Sequence, residues 1–131
     1  MNPVVRYLIL CDDVQTDPSN VLRVNVAGLI TYIRATGDPA FPVVRPLLCA
    51  LVILTNCQGV GELSLRIIED STGRVIFRNP ARLIRFAGSL EDAVGVVFRV
   101  RNCRFNEPGL YWVELLFSGL VLASQPFTLT L

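Results

Sequence analysis

Short runs in which apolar and polar side chains alternate recur along the whole chain and predict β-strands. In residues 21–28, VLRVNVAG, and 62–70, ELSLRIIED, one set of alternate side chains is mostly apolar and the other carries most of the polar residues, as in a strand with one buried face. Residues 93–103 and 110–118 continue this pattern, and turn residues separate the runs. We expect seven or eight strands in an all-β fold of two packed antiparallel sheets.

Three segments depart from simple alternation. Residues 47–55, LLCALVILT, are apolar at every position before the final threonine, which predicts a strand covered on both faces. Residues 35–46 contain three prolines and predict a loop or an edge segment. Asn79-Pro80 is typical of a helix start, so residues 80–87 are expected to form at most one short helical turn. No linker is evident, and residues 1–131 are interpreted as a single sandwich domain.

The motif Pro108-Gly109-Leu110-Tyr111 is typical of a tyrosine corner, in which the tyrosine hydroxyl bonds back to nearby backbone. The motif precedes a strong strand pattern, as it does in immunoglobulin-like domains. We therefore expect the sandwich to have immunoglobulin-like topology.

The last strands suggest a shared outer surface. If NEPG (106–109) is a hairpin turn, Arg101 lies opposite Glu114 and Cys103 lies opposite Trp112. If Ser118-Gly119 is a two-residue turn, Val121 lies beside Leu116. Tryptophan and arginine in an apolar patch are typical of a protein interface. The predicted interface residues are Trp112, Leu116, Val121, Arg99, Arg101 and Glu114. The alternative is that residues 80–92 cover this surface within the same chain.

Composition narrows the possible functions. The chain of 131 residues is 52% hydrophobic, which suggests that some apolar surface lies outside the core. Its formal net charge is +1, so it lacks the basic surface expected for nucleic acid or an anionic membrane. There is no histidine, and all 12 basic residues are arginine, which removes imidazole ligands, Schiff-base chemistry and His-based acid–base catalysis. We expect no cofactor and no enzymatic activity.

Two groups of residues are candidate metal sites. Asp12, Asp13 and Asp17 are candidate ligands for a hard cation, but neighbouring residues of an extended chain point to opposite faces. We expect these carboxylates to be solvated or to cap the loop. The four cysteines lack the CxxC spacing of a zinc site and are expected to be small buried side chains. The longest strongly apolar run, residues 47–54, has eight residues against the ~20 needed to cross a membrane. The expected location is therefore the cytoplasm, where the cysteines stay reduced.

Two stretches of the sequence also resemble a known family. These are SLEDAVGVVFRVRNCRFNEPGLYWVELLFSGLVLASQPFTL (89–129) and YLILCDDV (7–14), with a strand ending near VAG (26–28). They resemble an uncharacterised family of small bacterial proteins, a domain of unknown function. The resemblance implies a stand-alone immunoglobulin-like β-sandwich in the bacterial cytoplasm and supplies no catalytic residues.

Together these features predict a non-catalytic interaction or assembly module. It would associate through an outward apolar sheet face with itself, most simply as a homodimer, or with another protein. A small-molecule or carbohydrate-binding sandwich is the alternative, and a hydrolase or metal-dependent enzyme is a third, less favoured interpretation.

Overall fold

The computed structural model describes residues 2–86, 89 and 92–131, with backbone only for Val21 and Leu22, and these residues form an all-β fold. The strands are β1 (Val4–Asp17), β2 (Asn20–Leu29), β3 (Tyr32–Arg34), β4 (Val43–Thr55), β5 (Gly59–Glu69), β6 (Val75–Arg78), β7 (Arg82–Phe86), β8 (Val94–Phe105), β9 (Gly109–Phe117) and β10 (Leu120–Thr130). In this part of the chain, no helix is long and apolar enough to cross a membrane.

The strands form the predicted sandwich of two sheets. Sheet A has four strands in the order β2-β1-β4-β8. Sheet B has six strands, in the order β3-β10-β9-β5-β6, and β7 also pairs with β5. Neighbouring strands are antiparallel, except that the short β3 runs parallel to β10. The architecture is therefore an antiparallel sandwich with one parallel pair at the edge of sheet B.

The described residues contain ten strands, more than the seven or eight predicted. Strands β3, β6 and β7 have three, four and five residues, too few to show a clear two-residue period. Residues 82–86 form β7 rather than a helical turn, because they pair with β5 at the sheet edge. Residue 87, at the end of the predicted turn, lies outside the described residues.

The main hydrophobic core lies between the two sheets. Its largest fully buried side chains include Phe98, Phe105, Tyr111 and Phe127. The Phe105 ring meets the Tyr111 ring edge-on, with centroids 5.1 Å apart, and the Phe127 ring lies 5.8 Å from each of them. Aromatic pairs at these distances and angles pack favourably, so this cluster joins β8 of sheet A to β9 and β10 of sheet B.

A second hydrophobic cluster lies on the outer face of sheet A. It contains Cys11, Val14, Cys49 and Leu51, all buried, and Val24 of β2 packs against it. Strand β2 also approaches β8 across this face, which shows that the β1–β2 hairpin curls over the sheet. The prediction that 47–55 is covered on both faces is thus confirmed, and the outer cover is a hairpin of the same chain.

Candidate functional site

The predicted interface residues are divided between the two sheets. Strand β8 is the edge of sheet A, whereas β9 lies in sheet B between β10 and β5. The segment 106–108 therefore crosses from one sheet to the other, and the predicted pairing of β8 with β9 is wrong. The tyrosine corner lies at this crossing, and Tyr111 packs in the core against Phe105. Arg99 and Arg101 lie on the outer face of sheet A, across the sandwich from Trp112.

The side-chain alternation of β8 also reverses at one residue. Asn102 has φ of 54°, the left-handed conformation that asparagine tolerates better than most residues. Arg101 and Asn102 are both exposed, and from there the inward positions shift by one. Cys103, predicted to lie beside Trp112, is instead 1% exposed in the core between the sheets.

The predicted β9–β10 hairpin is confirmed. Ser118 and Gly119 have φ of 47° and 85°, as a two-residue turn of type I′ requires, and Val121 lies opposite Leu116. The register then shifts because one residue, Leu122, is extra, so that Ala123 and not Leu122 lies opposite Leu115.

Strands β9, β10 and β5 build a new outer surface around Trp112. Directly opposite residues of a sheet share a face, so the observed pairs of β5 with β9 set Ile68 beside Trp112, Arg66 beside Glu114 and Ser64 beside Leu116. With Val121 of β10, these side chains form the surface that we call the Trp112 face: Trp112, Glu114, Leu116, Val121, Ser64, Arg66 and Ile68. Arg66 takes the place predicted for Arg101.

The polar groups of the Trp112 face have partners within the chain. The Trp112 indole Nε1 donates a hydrogen bond to Asp70 Oδ1 at 2.9 Å. Arg66 Nε donates to Glu114 Oε1 at 2.7 Å, and the two side chains are only 27% and 14% exposed. A charged pair held in this way is already partly desolvated, so a second surface placed over it would leave neither charge unpaired.

A groove of about 290 Å³ lies at the Leu116 end of the Trp112 face. Its lining combines apolar or small residues with both signs of charge: Leu116, Ala81, Gly119, Ser64, Glu62, Arg66 and Arg78. Beside the groove, Val121 and Leu83 remain 47% and 63% exposed. Leu83 lies opposite Glu62 and therefore points to the same side of the sheet. The surface extends an apolar area beyond the three central strands.

Within 80–92, Ala81 lines the groove beside Leu116, which is only 9% exposed, but β7 does not lie over Trp112. Strand β7 pairs with residues 59–63 of β5, whereas Trp112 lies opposite Ile68 near the other end of β5. Residues 87, 88, 90 and 91, which also belong to the proposed cover, lie outside the described residues.

The predicted tyrosine corner is confirmed and fixes the start of β9. The Tyr111 hydroxyl donates to the Glu107 carbonyl at 2.7 Å and lies 3.4 Å from Oε2 of Glu69, which is 5% exposed. Burial and the neighbouring Glu69 raise the pKa of Tyr111. Thr72 Oγ1 donates to Glu69 Oε1 at 2.8 Å, so Glu69 links the turn after β5 to Tyr111 of β9.

The three candidate metal ligands have separate partners. Asp12 forms an ion pair with Arg45, Asp13 accepts the Val14 backbone N–H at 2.9 Å, and Asp17 accepts from the Ser19 hydroxyl at 2.7 Å. The hydrogen bonds from Ser19 lower the pKa of Asp17. Among the residues that the structure describes, no three potential ligands cluster as a metal site would require.

All four cysteines are free and buried, as predicted. Cys11 lies opposite Cys49 on the outer face of sheet A, and its Sγ is 3.6 Å from the Cys49 carbonyl oxygen. Burial raises the pKa of Cys11 to about 11 and that of Cys103 to about 12. Thiols that ionise so late are poor nucleophiles at neutral pH, which supports a packing role.

Comparisons with known proteins identify a family and a fold. The model of a family of unknown function, DUF6941, matches residues 6–130. No curated protein matches the chain. The alkylpurine DNA glycosylase AlkC from Pseudomonas fluorescens, in complex with DNA containing an abasic site analog, is 14% identical with a TM-score of 0.52. A mutant β-glucosidase from Listeria innocua, in complex with laminaribiose, is 11% identical with a TM-score of 0.49.

These two structures are much longer than the chain. The chain is covered to 98% by the first match and to 94% by the second, but it spans only 30% and 16% of those proteins. At such low identity the first likeness concerns the fold alone.

Proposed function

Since the chain belongs to DUF6941, a family of unknown function, we propose from its surface chemistry that it is a non-catalytic interaction module that self-associates through the Trp112 face. The observation that carries this proposal is the internal pairing of the polar groups on that face. Trp112 already donates to Asp70, and Arg66 is already bound to Glu114. Covering groups that are already paired costs less desolvation than covering unpaired ones.

The same observation argues against the small-molecule alternative. A ligand pocket usually presents a few convergent polar groups that are free to orient the ligand. On the Trp112 face the indole donates to Asp70 and the Glu114 carboxylate accepts from Arg66, so neither group is free to orient a ligand. Such a surface favours contact with another protein over recognition of a sugar or a metabolite.

A second copy of this chain is the proposed partner because the charges along the groove are balanced. The groove and its ion pair contribute two acidic residues, Glu62 and Glu114, and two basic residues, Arg66 and Arg78. A two-fold axis through such a surface can bring Arg78 of one copy near Glu62 of the other. A surface dominated by one sign of charge would instead repel its copy.

The area of the face is also sufficient for a dimer. Strands β10, β9 and β5, each about 30 Å long, and a fourth row formed by the short β6 and β7 together cover roughly 600 Å² at about 4.8 Å spacing. A stable interface needs about 500 to 800 Å² on each partner. The Trp112 face therefore falls within the range of small dimer interfaces.

We would test this proposal by light scattering at several concentrations. The wild-type chain is expected to be a dimer and Val121→Arg a folded monomer, because an arginine at this half-exposed position places charge inside the contact. Val44→Arg, at a position 50% exposed on β4 of the other sheet, is the matched control and should remain dimeric. Val121 is preferred to Trp112 because replacing Trp112 also breaks its bond to Asp70.

Two outcomes would refute self-association through this face. One is a wild-type chain that stays monomeric up to millimolar concentration. The other is a Val121→Arg variant that remains dimeric.

The cytoplasmic location and the immunoglobulin-like topology are part of the same proposal. They are supported by the four free thiols and by the neighbour order β10-β9-β5, which corresponds to strands G, F and C of that fold.

A further inference from the structure

The first half of β1 has a strand partner on one side only. Over Val4–Cys11 it pairs with β4, and β2 pairs with β1 only from Cys11 onward. Beyond that point β2 turns away to sheet B, where residues 32–34 join β10. Within the described part of the chain, residues 4–9 of β1 therefore form an open sheet edge.

The backbone of Leu8 points to this open side. In an antiparallel strand the N–H and C=O of one residue point the same way, and this direction alternates along the strand. The Leu10 carbonyl accepts a hydrogen bond from Ile30 N at 2.8 Å, on the side away from β4. Leu8, two residues earlier, has the same orientation, so its N–H and C=O are placed to pair with an added strand.

A groove of about 340 Å³ runs beside this edge, between β1 and β10. The facing edge of β10 is less suited to accept a strand. Thr128 N bonds to Thr31 O on that side, so Pro126, two residues earlier, has the same orientation but no N–H to donate. The donor row of β10 is interrupted at Pro126, which leaves β1 as the edge that can receive a partner.

The side chains around the groove indicate the chemistry of that partner. Tyr7 and Leu29 are 60% and 67% exposed and provide apolar flanks. The charge of the lining comes from Arg6 alone, which is exposed and bonds only to the Thr55 hydroxyl among its described contacts. A cation without a carboxylate partner beside an open strand edge complements an extended acidic peptide.

We propose that the groove between β1 and β10 binds an extended acidic segment of a partner protein, which adds to the Leu8 edge of β1 as a strand. The bound segment would exchange backbone hydrogen bonds with Leu8 and place apolar side chains against Tyr7 and Leu29. A carboxylate of the segment would meet Arg6. This mode of recognition obtains affinity from the main chain and specificity from the flanking side chains. The groove adjoins the Trp112 face at Pro126, which lies opposite Trp112, but contains none of the side chains that define that face.

The probe is an acetylated and amidated peptide, Glu-Val-Thr-Val-Thr-Val, with a fluorescent label, titrated by anisotropy into the Val121→Arg variant. This variant keeps the groove intact and tests binding without a contribution from the Trp112 face. We expect saturable binding and at least about tenfold slower amide hydrogen exchange at Leu8. A peptide N-methylated at alternate residues should bind about tenfold more weakly, because it lacks the donors for β1.

The charge preference is tested by exchange of one side chain. A second peptide has Lys in place of the first Glu. The wild-type chain should bind the Glu peptide more tightly, whereas Arg6→Glu should bind the Lys peptide more tightly. Arg23→Glu, an exposed position on β2, is the control and should keep the wild-type order.

Four results would overturn this proposal: no binding by the Glu peptide, equal binding by its N-methylated form, binding without protection of Leu8, or the wild-type order of binding in Arg6→Glu. Protection of Leu8 that rises with protein concentration in the absence of peptide would assign the edge to a second copy and would also overturn it. Failure of dimerisation through the Trp112 face would leave each of these readouts unchanged.

Discussion

At the scale of single residues, Tyr111 secures the start of β9 through its hydroxyl group. Tyr111→Phe removes the donor to the Glu107 carbonyl, a bond of 2.7 Å, while the ring stays packed against Phe105. We expect the free energy of unfolding to fall by about 1 to 2 kcal/mol with the fold retained, as measured by urea denaturation. Tyr32→Phe, with a ring 63% exposed, is the control. Equal midpoints for the two variants would show that the bond adds no stability.

Residue patterns predicted some side-chain positions and missed others. The Pro108-Gly109-Leu110-Tyr111 motif predicted the tyrosine corner because the corner depends on local chemistry. Cys103 was placed on the wrong face because Asn102 adopts positive φ and reverses the alternation of β8. Asparagine tolerates that conformation but seldom requires it, so the residue type alone does not reveal the reversal.

At the scale of elements, β4 is packed on both faces, and its outer face should contribute as a true core. Leu51 is 3% exposed beneath the β1–β2 hairpin. We expect Leu51→Ala to lower the free energy of unfolding by about 2 to 4 kcal/mol, the cost of a buried cavity. Val44→Ala, at a position 50% exposed on the same strand, should change it by less than about 1 kcal/mol. Urea denaturation of both variants would contradict this expectation if the two losses were equal.

The composition of β4 predicted that both faces would be covered, but not what covers them. An apolar run such as 47–55 indicates only that both faces of the strand are shielded from water, not which elements shield them. The cover depends on the long β1–β2 hairpin curling until β2 approaches β8. Val14 and Val24 of this hairpin pack in the same cluster as Leu51, which brings together distant parts of the sequence.

At the scale of the whole molecule, stability should fall at alkaline pH. Burial raises the pKa of all four thiols above the ordinary value of 9.0, to about 11 for Cys11 and about 12 for Cys103. Above pH 9 the unfolded chain releases thiol protons that the folded chain retains, so unfolding becomes more favourable as the pH rises towards 11. Each such thiol contributes up to about 1.4 kcal/mol per pH unit.

Urea denaturation under reducing conditions at several pH values between 7.5 and 10.5 would measure this loss. Cys103→Ala is the matched variant, because it removes the thiol with the highest pKa while the other three remain. Its stability should decline less steeply with pH than that of the wild type. Parallel declines would show that Cys103 does not contribute to the pH dependence.

The sandwich was predictable from alternation, but the distribution of strands between its sheets was not. Apolar and polar side chains alternate on both sides of 106–109. This pattern is compatible with a hairpin that pairs β8 with β9 and also with a crossing from one sheet to the other. The choice is made by partners far away in sequence, β4 for β8 and β5 for β9. The predicted interface was divided for this reason, although Trp112, Glu114, Leu116 and Val121 stayed together.

The crossing at 106–108 also bears on how quickly the chain reaches its native state. Because β8 and β9 do not pair, the chain forms few local contacts, chiefly the β1–β2, β5–β6 and β9–β10 hairpins. The central strands pair with strands that are distant in sequence. Closing the long loops between them costs conformational entropy before the pairing contributes any stability. A topology of this kind folds in milliseconds to seconds rather than microseconds. During that interval the apolar β4 is uncovered, which makes the newly made chain most prone to aggregation before β1 and β8 reach it.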